Sequence, residues 1–254
     1  MRKRLFGLDE TYDRVKSTIE FMWNPEFSEK RRFLLIQPTI LLKGPPGTGK
    51  TSLIANLASF FEKEFNEEGF YFHRTNLNNL ISHNLGQSSK NLSDFFSSIQ
   101  RKADQGKRVM VHLDDAESAL SSRLGGSESK GIFRFVTTAL EELDKLFTNS
   151  NEYTPVLILS TNSSEVLDPA VMRRFTHRFD INPKLTSKEV ELMCKEYLEL
   201  NPKTKQIVDF LSKTAEEHPR LTPHTYCRIL EAALVQDLDL PRVMRLTENE
   251  LENI

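Results

Sequence analysis

Gly44-Pro45-Pro46-Gly47-Thr48-Gly49-Lys50-Thr51, led in by Thr39-Ile40-Leu41-Leu42 and followed by Leu53-Ile54-Ala55-Asn56-Leu57-Ala58, decides the fold of this 254-residue chain. The octet fits the pattern G-x-x-x-x-G-K-[ST]. It also lies where that pattern has physical meaning, after a short apolar strand and at the start of a helix. Glycines let successive backbone N–H groups turn inward around phosphate oxygens, and the helix start adds unpaired donors and a favourable dipole. In that setting Lys50 reaches the β- and γ-phosphates of a nucleoside triphosphate, and the Thr51 hydroxyl is a magnesium ligand. Gly44, Pro45, Pro46, Gly47, Thr48, Gly49, Lys50, Thr51 and the adjoining Ser52 are the expected nucleotide-binding set.

Outward from the loop, strand-like and helix-like segments alternate. Apolar runs at 39–42, 70–73, 109–113, 156–160 and 177–181 read as strands. Segments 53–60, 91–103 and 132–147 carry helical spacing, as does a lead-in before the first strand in which Thr11, Val15, Ile19 and Met22 fall about one turn apart. Near-continuous apolar strands alternating with amphipathic helices predict an α/β fold: a parallel five-stranded sheet with helices on both faces. Right-handed crossovers then put the functional loops at the carboxyl ends of the strands. After Pro183 the strands stop, and three helical stretches follow at 187–200, 205–213 and 222–237. The expected division is a large domain at 1–183 and a small helical lid at 184–254. No internal repeat or low-complexity tract interrupts either.

Two more strand ends carry chemistry. Val109-Met110-Val111-His112-Leu113 runs into Asp114-Asp115, which is the Walker B arrangement. Asp114 can hold magnesium through a coordinated water, and Asp115 can polarise the attacking water. Glu117 lies beyond the strand end and is the weaker choice of base. His112 alternates with apolar residues and reads as a strand residue, not a ligand. Val156-Leu157-Ile158-Leu159-Ser160-Thr161-Asn162 ends in polar residues, and Asn162 would face the γ-phosphate if this strand lay between the other two functional strands. Asp168-Pro169 is a helix start signal, and the short helix it opens closes on Arg173-Arg174.

These segments, in this order, resemble the AAA+ family and its protein-remodelling AAA branch. Residues 44–51 reproduce that branch's GPPGTGKT, and Leu85-Gly86-Gln87-Ser88-Ser89-Lys90-Asn91-Leu92 resembles its second-region G-E-S-E-K-N-L. Asp114-Asp115-Ala116-Glu117-Ser118-Ala119-Leu120-Ser121-Ser122-Arg123 resembles D-E-A-E-x-L-x-x-x-R, Ser160-Thr161-Asn162 the sensor-1 strand, and Leu167 to Phe175 the run L-D-P-A-L-L-R-R-F. The resemblance implies a ring, usually a hexamer, with ATP and Mg²⁺ at each subunit boundary. It makes Lys50, Asp114, Asp115 and Asn162 catalytic residues of one subunit, and Arg173 and Arg174 the arginine fingers given to its neighbour. Three positions depart from the family pattern. Asp115 replaces the usual glutamate. Asn84-Leu85-Gly86 stands where remodellers carry an aromatic pore-loop residue. His224 falls where the sensor-2 arginine is expected, leaving Arg228, one turn on, as the nucleotide-contacting alternative.

Composition bounds the rest. Lysine and arginine number 34 against 36 acidic residues, a net charge of −2, so gripping a nucleic-acid backbone is not favoured. No run approaches the length of a membrane span, and no apolar stretch follows the basic Met1-Arg2-Lys3-Arg4 tip. Cys194 and Cys227 lie far from any Cys-x-x-Cys pattern and read as reduced thiols of a cytoplasmic protein. The leading expectation is a homo-oligomeric ATPase that remodels a protein. The segment 114–118 also resembles remodellers of HORMA-type safety-belt proteins. Two other readings stand beside it: a helicase-loader-like module associated with nucleic acid, and a nucleotide-dependent scaffold of slow turnover. Only a short segment precedes the first strand, so substrate choice is expected to come from a partner protein or from the pore loops.

Overall fold

The computed structural model describes residues 5–82, 86–117, 119–121, 129–148, 153–198, 201–236 and 239–252. The chain forms two compact units. The first holds the sheet and runs from Thr11 to Asp180 without the loop segment Pro46–Gly49; the second holds Ile181 onward together with that segment and the chain just before Thr11.

In the first unit, α1 (Asp9–Trp23) buries Tyr12, Val15, Ile19, Met22 and Trp23. Tyr12, not Thr11, begins the inward stripe, because the larger apolar ring claims the core position. A 3-10 turn at Pro25–Phe27 and the short α2 (Ser28–Phe33) lead to β1 (Thr39–Lys43). Then follow α3 (Lys50–Glu64), β2 (Phe70–Asn76), α4 (Gln87–Asp104), β3 (Arg108–Asp114), α5 (Ser129–Thr148), β4 (Val156–Thr161), α6 (Pro169–Arg174) and β5 (His177–Asp180). Every pairing is parallel and the strand order is β2-β3-β4-β1-β5. All six residues of β4 and the first four of β1 are buried, as expected of central strands covered on both faces. β2, at the edge, is only half-buried. The five-stranded parallel sheet expected from the apolar runs is the sheet observed.

The core follows the helical stripes. α4 inserts Leu92, Phe96, Ile99 and Ala103, and α5 inserts Phe135, Val136, Ala139, Leu143 and Leu146 beneath the sheet residues Val109, Val111, Leu157 and Leu159. Each fully buried Leu, Val or Phe side chain contributes about 1.5–3 kcal/mol. The abundant phenylalanines partly pack on one another: Trp23 meets Phe61, Phe65 and Phe70 edge-on at centroid distances of 5.2, 5.6 and 6.2 Å.

The second unit consists of α7 (Ser187–Tyr197), α8 (Pro202–Glu217), α9 (Pro223–Val235) and α10 (Leu240–Glu252). Three helices were expected after Pro183; the fourth, α10, was not. It turns Leu240, Val243, Thr247 and Leu251 to one side at helical spacing, a stripe present in the sequence that the expectation left out. Thr186 opens α7 through a reciprocal capping box with Glu189, and Thr222 caps α9 through the amide of Thr225. The unit's core gathers Phe6, Leu185, Val190, Met193, Leu211, Tyr226, Ile229 and Leu230. Cys194 lies in that core, where burial pushes its thiol up to about 12, so it stays protonated and inert. Neither cysteine is in a disulfide. Among the described residues, no helix is long and apolar enough to cross a membrane.

Candidate functional site

The strand order delivers three strand ends to one place. β4 lies between β1 and β3, so the exits of the loop strand, the Asp114 strand and the Asn162 strand are neighbours. The loop leaves β1 at Gly44, whose N–H donates to Thr161 O at 3.2 Å. Gly47 and Gly49 adopt φ values of +77° and +94°, a region that favours glycine. In the second unit a Cβ added to Gly47 would also fall 2.8 Å from His224 Cβ, so the loop has no room for a side chain there. Thr48 is buried, while Thr51 and Ser52 are half-buried in the first turn of α3.

Lys50 turns back over the loop. Its Nζ donates to Gly44 O at 2.6 Å, Pro45 O at 2.9 Å and Asn162 Oδ1 at 2.8 Å. Burial lowers its pKa, against the pull of Glu117, Asp114 and Asp115, which raise it. The structure therefore brings Lys50, Asn162, Asp114 and Asp115 together as the spacing predicted.

The two acids are held differently. Asp114 Oδ1 accepts from Ser160 Oγ at 2.6 Å, and Oδ2 accepts from Arg74 Nη2 at 2.5 Å and Nε at 3.1 Å. Burial opposes its ionisation, but the hydrogen bonds from Ser160 and Arg74 outweigh this and its pKa is lowered. Asp115 accepts from Asn76 Nδ2 at 3.2 Å. Its pKa is raised by burial and by the like charges of Asp114 and Glu117. That shift makes it a stronger base. Asp115 also has a φ of +50°, in the left-handed region that short side chains able to hydrogen-bond locally tolerate best. The backbone thus gives a reason for aspartate where the family pattern has glutamate.

Glu117 is not a spare base but a clamp on the exit of β4. Its Oε1 accepts from Thr161 Oγ1 at 2.9 Å, Ser163 N at 3.3 Å and the amide of Asn162. Arg74 and Asn76 are the residues that sequence reasoning missed, and Glu117, weighed there only as a base, has a different role. The only available signal was Arg74-Thr75-Asn76 at the end of an apolar strand, where residues two apart share a face.

His112 is buried completely, with Nε2 2.8 Å from Ser160 Oγ and 3.6 Å from Asp114 Oδ1. Burial lowers its pKa to about 4, against the raising effect of Asp114. Between the ordinary value of 6.5 and about 4 the unfolded chain binds this proton and the folded chain does not, so stability is lost as the pH is lowered through that window. The shift corresponds to a loss of about 3 kcal/mol when fully developed. Denaturant unfolding at pH 7.5 and pH 4.5 will measure it, and a His112→Gln variant should flatten the dependence.

The arginine pair behaves unevenly. Asp168, buried, caps α6 by accepting from Ala170 N at 2.8 Å, ahead of Pro169. Arg174 is tied to Asp144 at 2.6 and 2.8 Å. Arg173 is exposed and, among the described residues, has no ion-pair partner. On α9, Arg228 pairs with Glu250 at 3.1 Å, while the His224 N–H lies 3.4 Å from Gly47 O. Arg228 is thus paired within the second unit. Asn84 and Leu85 of the expected pore loop, together with Ser118, Ser122 and Arg123, lie outside the described residues.

A magnesium nucleotide suits this donor set. Among the described residues there is no cluster of three His, Cys, Asp or Glu able to hold a metal by itself. Thr51 and Asp114 would supply only part of a coordination shell, which is the usual situation for magnesium carried in on phosphates.

Three converging strand ends around such a loop define a P-loop nucleotide-binding protein. The profile of the ATPase family associated with various cellular activities (AAA) matches residues 40–183, and the chain belongs to that family. It is 27% identical over 228 residues to an AAA ATPase forming ring-shaped complexes from Corynebacterium efficiens, covering 88% of this chain and 42% of that protein. It is 28% identical over 244 residues to the cell division cycle protein 48 homolog of Archaeoglobus fulgidus, covering 94% and 31%. The chain thus spans less than half the length of these relatives. A chain of the solved HORMA:CdnC:Trip13 complex of E. coli MS115-1 shares the fold with a TM-score of 0.68 at 20% identity, over 82% of this chain and 74% of that one.

Proposed function

We propose that this chain is a cytoplasmic, magnesium-dependent ATPase that assembles into a ring of identical subunits, a hexamer, and uses hydrolysis to remodel, disassemble or unfold a protein partner. The supporting observation is the Lys50 ammonium, held at the loop by Gly44, Pro45 and Asn162 beside three carboxylates. Its carbonyl partners are exchangeable, so the ammonium can move onto the β- and γ-phosphate oxygens of ATP. Magnesium held by Thr51 and Asp114 would neutralise phosphate charge. Asp115 takes the proton of the attacking water as it adds to the γ-phosphorus, whose bond to the bridging oxygen breaks so that ADP leaves. Asn76 keeps that carboxylate aimed, and Asn162 orients the water with its remaining amide donors. Glu117 supports this by fixing the backbone on which Asn162 sits. Charge that develops on the γ-phosphate is met by Arg173 and Arg174 of the adjoining copy.

Likeness to relatives that form rings supports the assembly. The neutral charge balance favours a protein partner over nucleic acid. A second reading, a nucleotide-dependent scaffold of slow turnover, draws on Asp115, whose short side chain sits on a left-handed backbone.

Purified protein with ATP and magnesium should hydrolyse ATP with a specific activity that rises with protein concentration, as subunits meet. Lys50→Ala should lose nucleotide binding. A strict monomer working at full rate would rule out the arginine role, and binding without turnover would favour the scaffold.

A further inference from the structure

We infer that Arg74 is a resident counter-cation of Asp114, which the metal ion of a bound nucleotide must displace, so that Arg74 sets the magnesium requirement of the site. This rests on the reading of Asp114 as the magnesium-holding acid. Both carboxylate oxygens are already engaged by protein groups, Oδ1 by Ser160 and Oδ2 by Arg74. A metal, bound directly or through a water, needs a free lone pair on one of them: Arg74 takes both lone pairs of Oδ2, and Oδ1 faces Ser160 with His112 Nε2 3.6 Å away.

The two sides are not equally able to let go. Ser160 is only 1% exposed and is backed by the fully buried His112, so releasing Oδ1 would strand polar groups in the core. Arg74 comes from the edge strand β2 and its side chain is 53% exposed, so its guanidinium can swing into water with little loss. Oδ2 is therefore the oxygen that opens, and Arg74 is the group that leaves.

Arg74 and Asn76, two residues apart on one face of β2, divide the acids between them: Arg74 engages Asp114 and Asn76 engages Asp115. Without nucleotide, Arg74 neutralises Asp114, one of three carboxylates that act on Lys50, where an uncompensated negative charge would repel an incoming triphosphate. When metal arrives with the nucleotide, that neutralising role passes to the metal. Arg74 is a positioning residue in this scheme, since it reaches the phosphates only through Asp114.

The scheme predicts effects of opposite sign on two binding constants. In Arg74→Ala, the magnesium concentration giving half-maximal binding of a fluorescent ATP analogue should fall about three- to fivefold, because an exposed pair no longer competes. Binding of the same analogue in EDTA should weaken, because Asp114 is then bare. Arg74→Lys should lie between the two, keeping the charge without the fork. In an Asp114→Asn background, Arg74→Ala should change neither constant. An Arg74→Ala protein, shown by thermal unfolding to be folded, whose half-maximal magnesium concentration is unchanged or higher would overturn the proposal, since a merely structural arginine gives that result. If wild type binds no nucleotide, or Lys50→Ala binds as well as wild type, the nucleotide reading fails first.

Discussion

Replacing Arg173 with alanine is expected to lower ATP turnover by about 10³–10⁵-fold while leaving nucleotide binding intact, the range lost when an arginine finger is removed from a P-loop enzyme. The expectation comes from the geometry of α6. Asp168 caps the helix and Pro169 starts it, so the last turn, where both arginines sit, is rigidly placed. Arg173 is exposed there and, among the described residues, no acid neutralises it. Its charge is available to an adjoining copy. Arg174 differs, because Asp144 holds its guanidinium and raises its pKa. Arg174→Ala should therefore give the smaller loss of turnover, together with a stability cost of at most about 1 kcal/mol for an exposed pair. Steady-state ATPase rates above the assembly concentration, with binding of a fluorescent nucleotide measured in parallel, will separate the two. Equal, small effects from both substitutions would falsify the assignment.

Asp115→Asn is expected to slow hydrolysis by about 10²–10⁴-fold, the usual worth of general-base help, again without loss of binding. The substitution is nearly isosteric. Asparagine tolerates the left-handed backbone that Asp115 adopts, and its amide oxygen can still accept from Asn76. What disappears is the basic oxygen whose pKa burial and the neighbouring acids raise. Single-turnover quench measurements report the chemical step directly. Mixing the Asp115→Asn and Arg173→Ala proteins then tests whether base and finger act from different subunits. If they do, mixed rings recover part of the lost activity, because some interfaces join an intact Asp115 to an intact Arg173. No recovery in rings shown to mix would mean that both residues serve the same subunit's site.

The same substitutions bear on partner choice. An Asp115→Asn protein that binds ATP and turns over slowly should keep a protein partner bound for longer, and capture from native extract in the presence of ATP would recover it.

Much of the site was legible in the chain because its parts are local. The amide cradle needs consecutive residues, so glycines at 44, 47 and 49 followed by Lys50 and Thr51 announce it without any knowledge of the rest of the molecule. The strand ends at Asp114 and Asn162 were equally plain, since a buried strand reads as an apolar run and its polar terminus marks the rim of the sheet. The cap of α6 at Asp168 is another short-range signal. α10 went unpredicted although Leu240, Val243, Thr247 and Leu251 recur at helical spacing along it.

The sequence by itself determined a phosphate-binding loop, a parallel sheet of five strands, and the lysine, acids and asparagine that the strand ends bring to that loop. All of these follow from patterns confined to a single strand, turn or helix. Only the tertiary structure decided the partnerships: Arg74 on Asp114, Asn76 on Asp115, Glu117 on the exit of β4, His112 on Ser160, Asp144 on Arg174 and Glu250 on Arg228. Most of these join residues on different elements that meet only once the order β2-β3-β4-β1-β5 has formed. An apolar run reveals that a strand is buried, but both of its neighbours are apolar too, and nothing in its own residues names them.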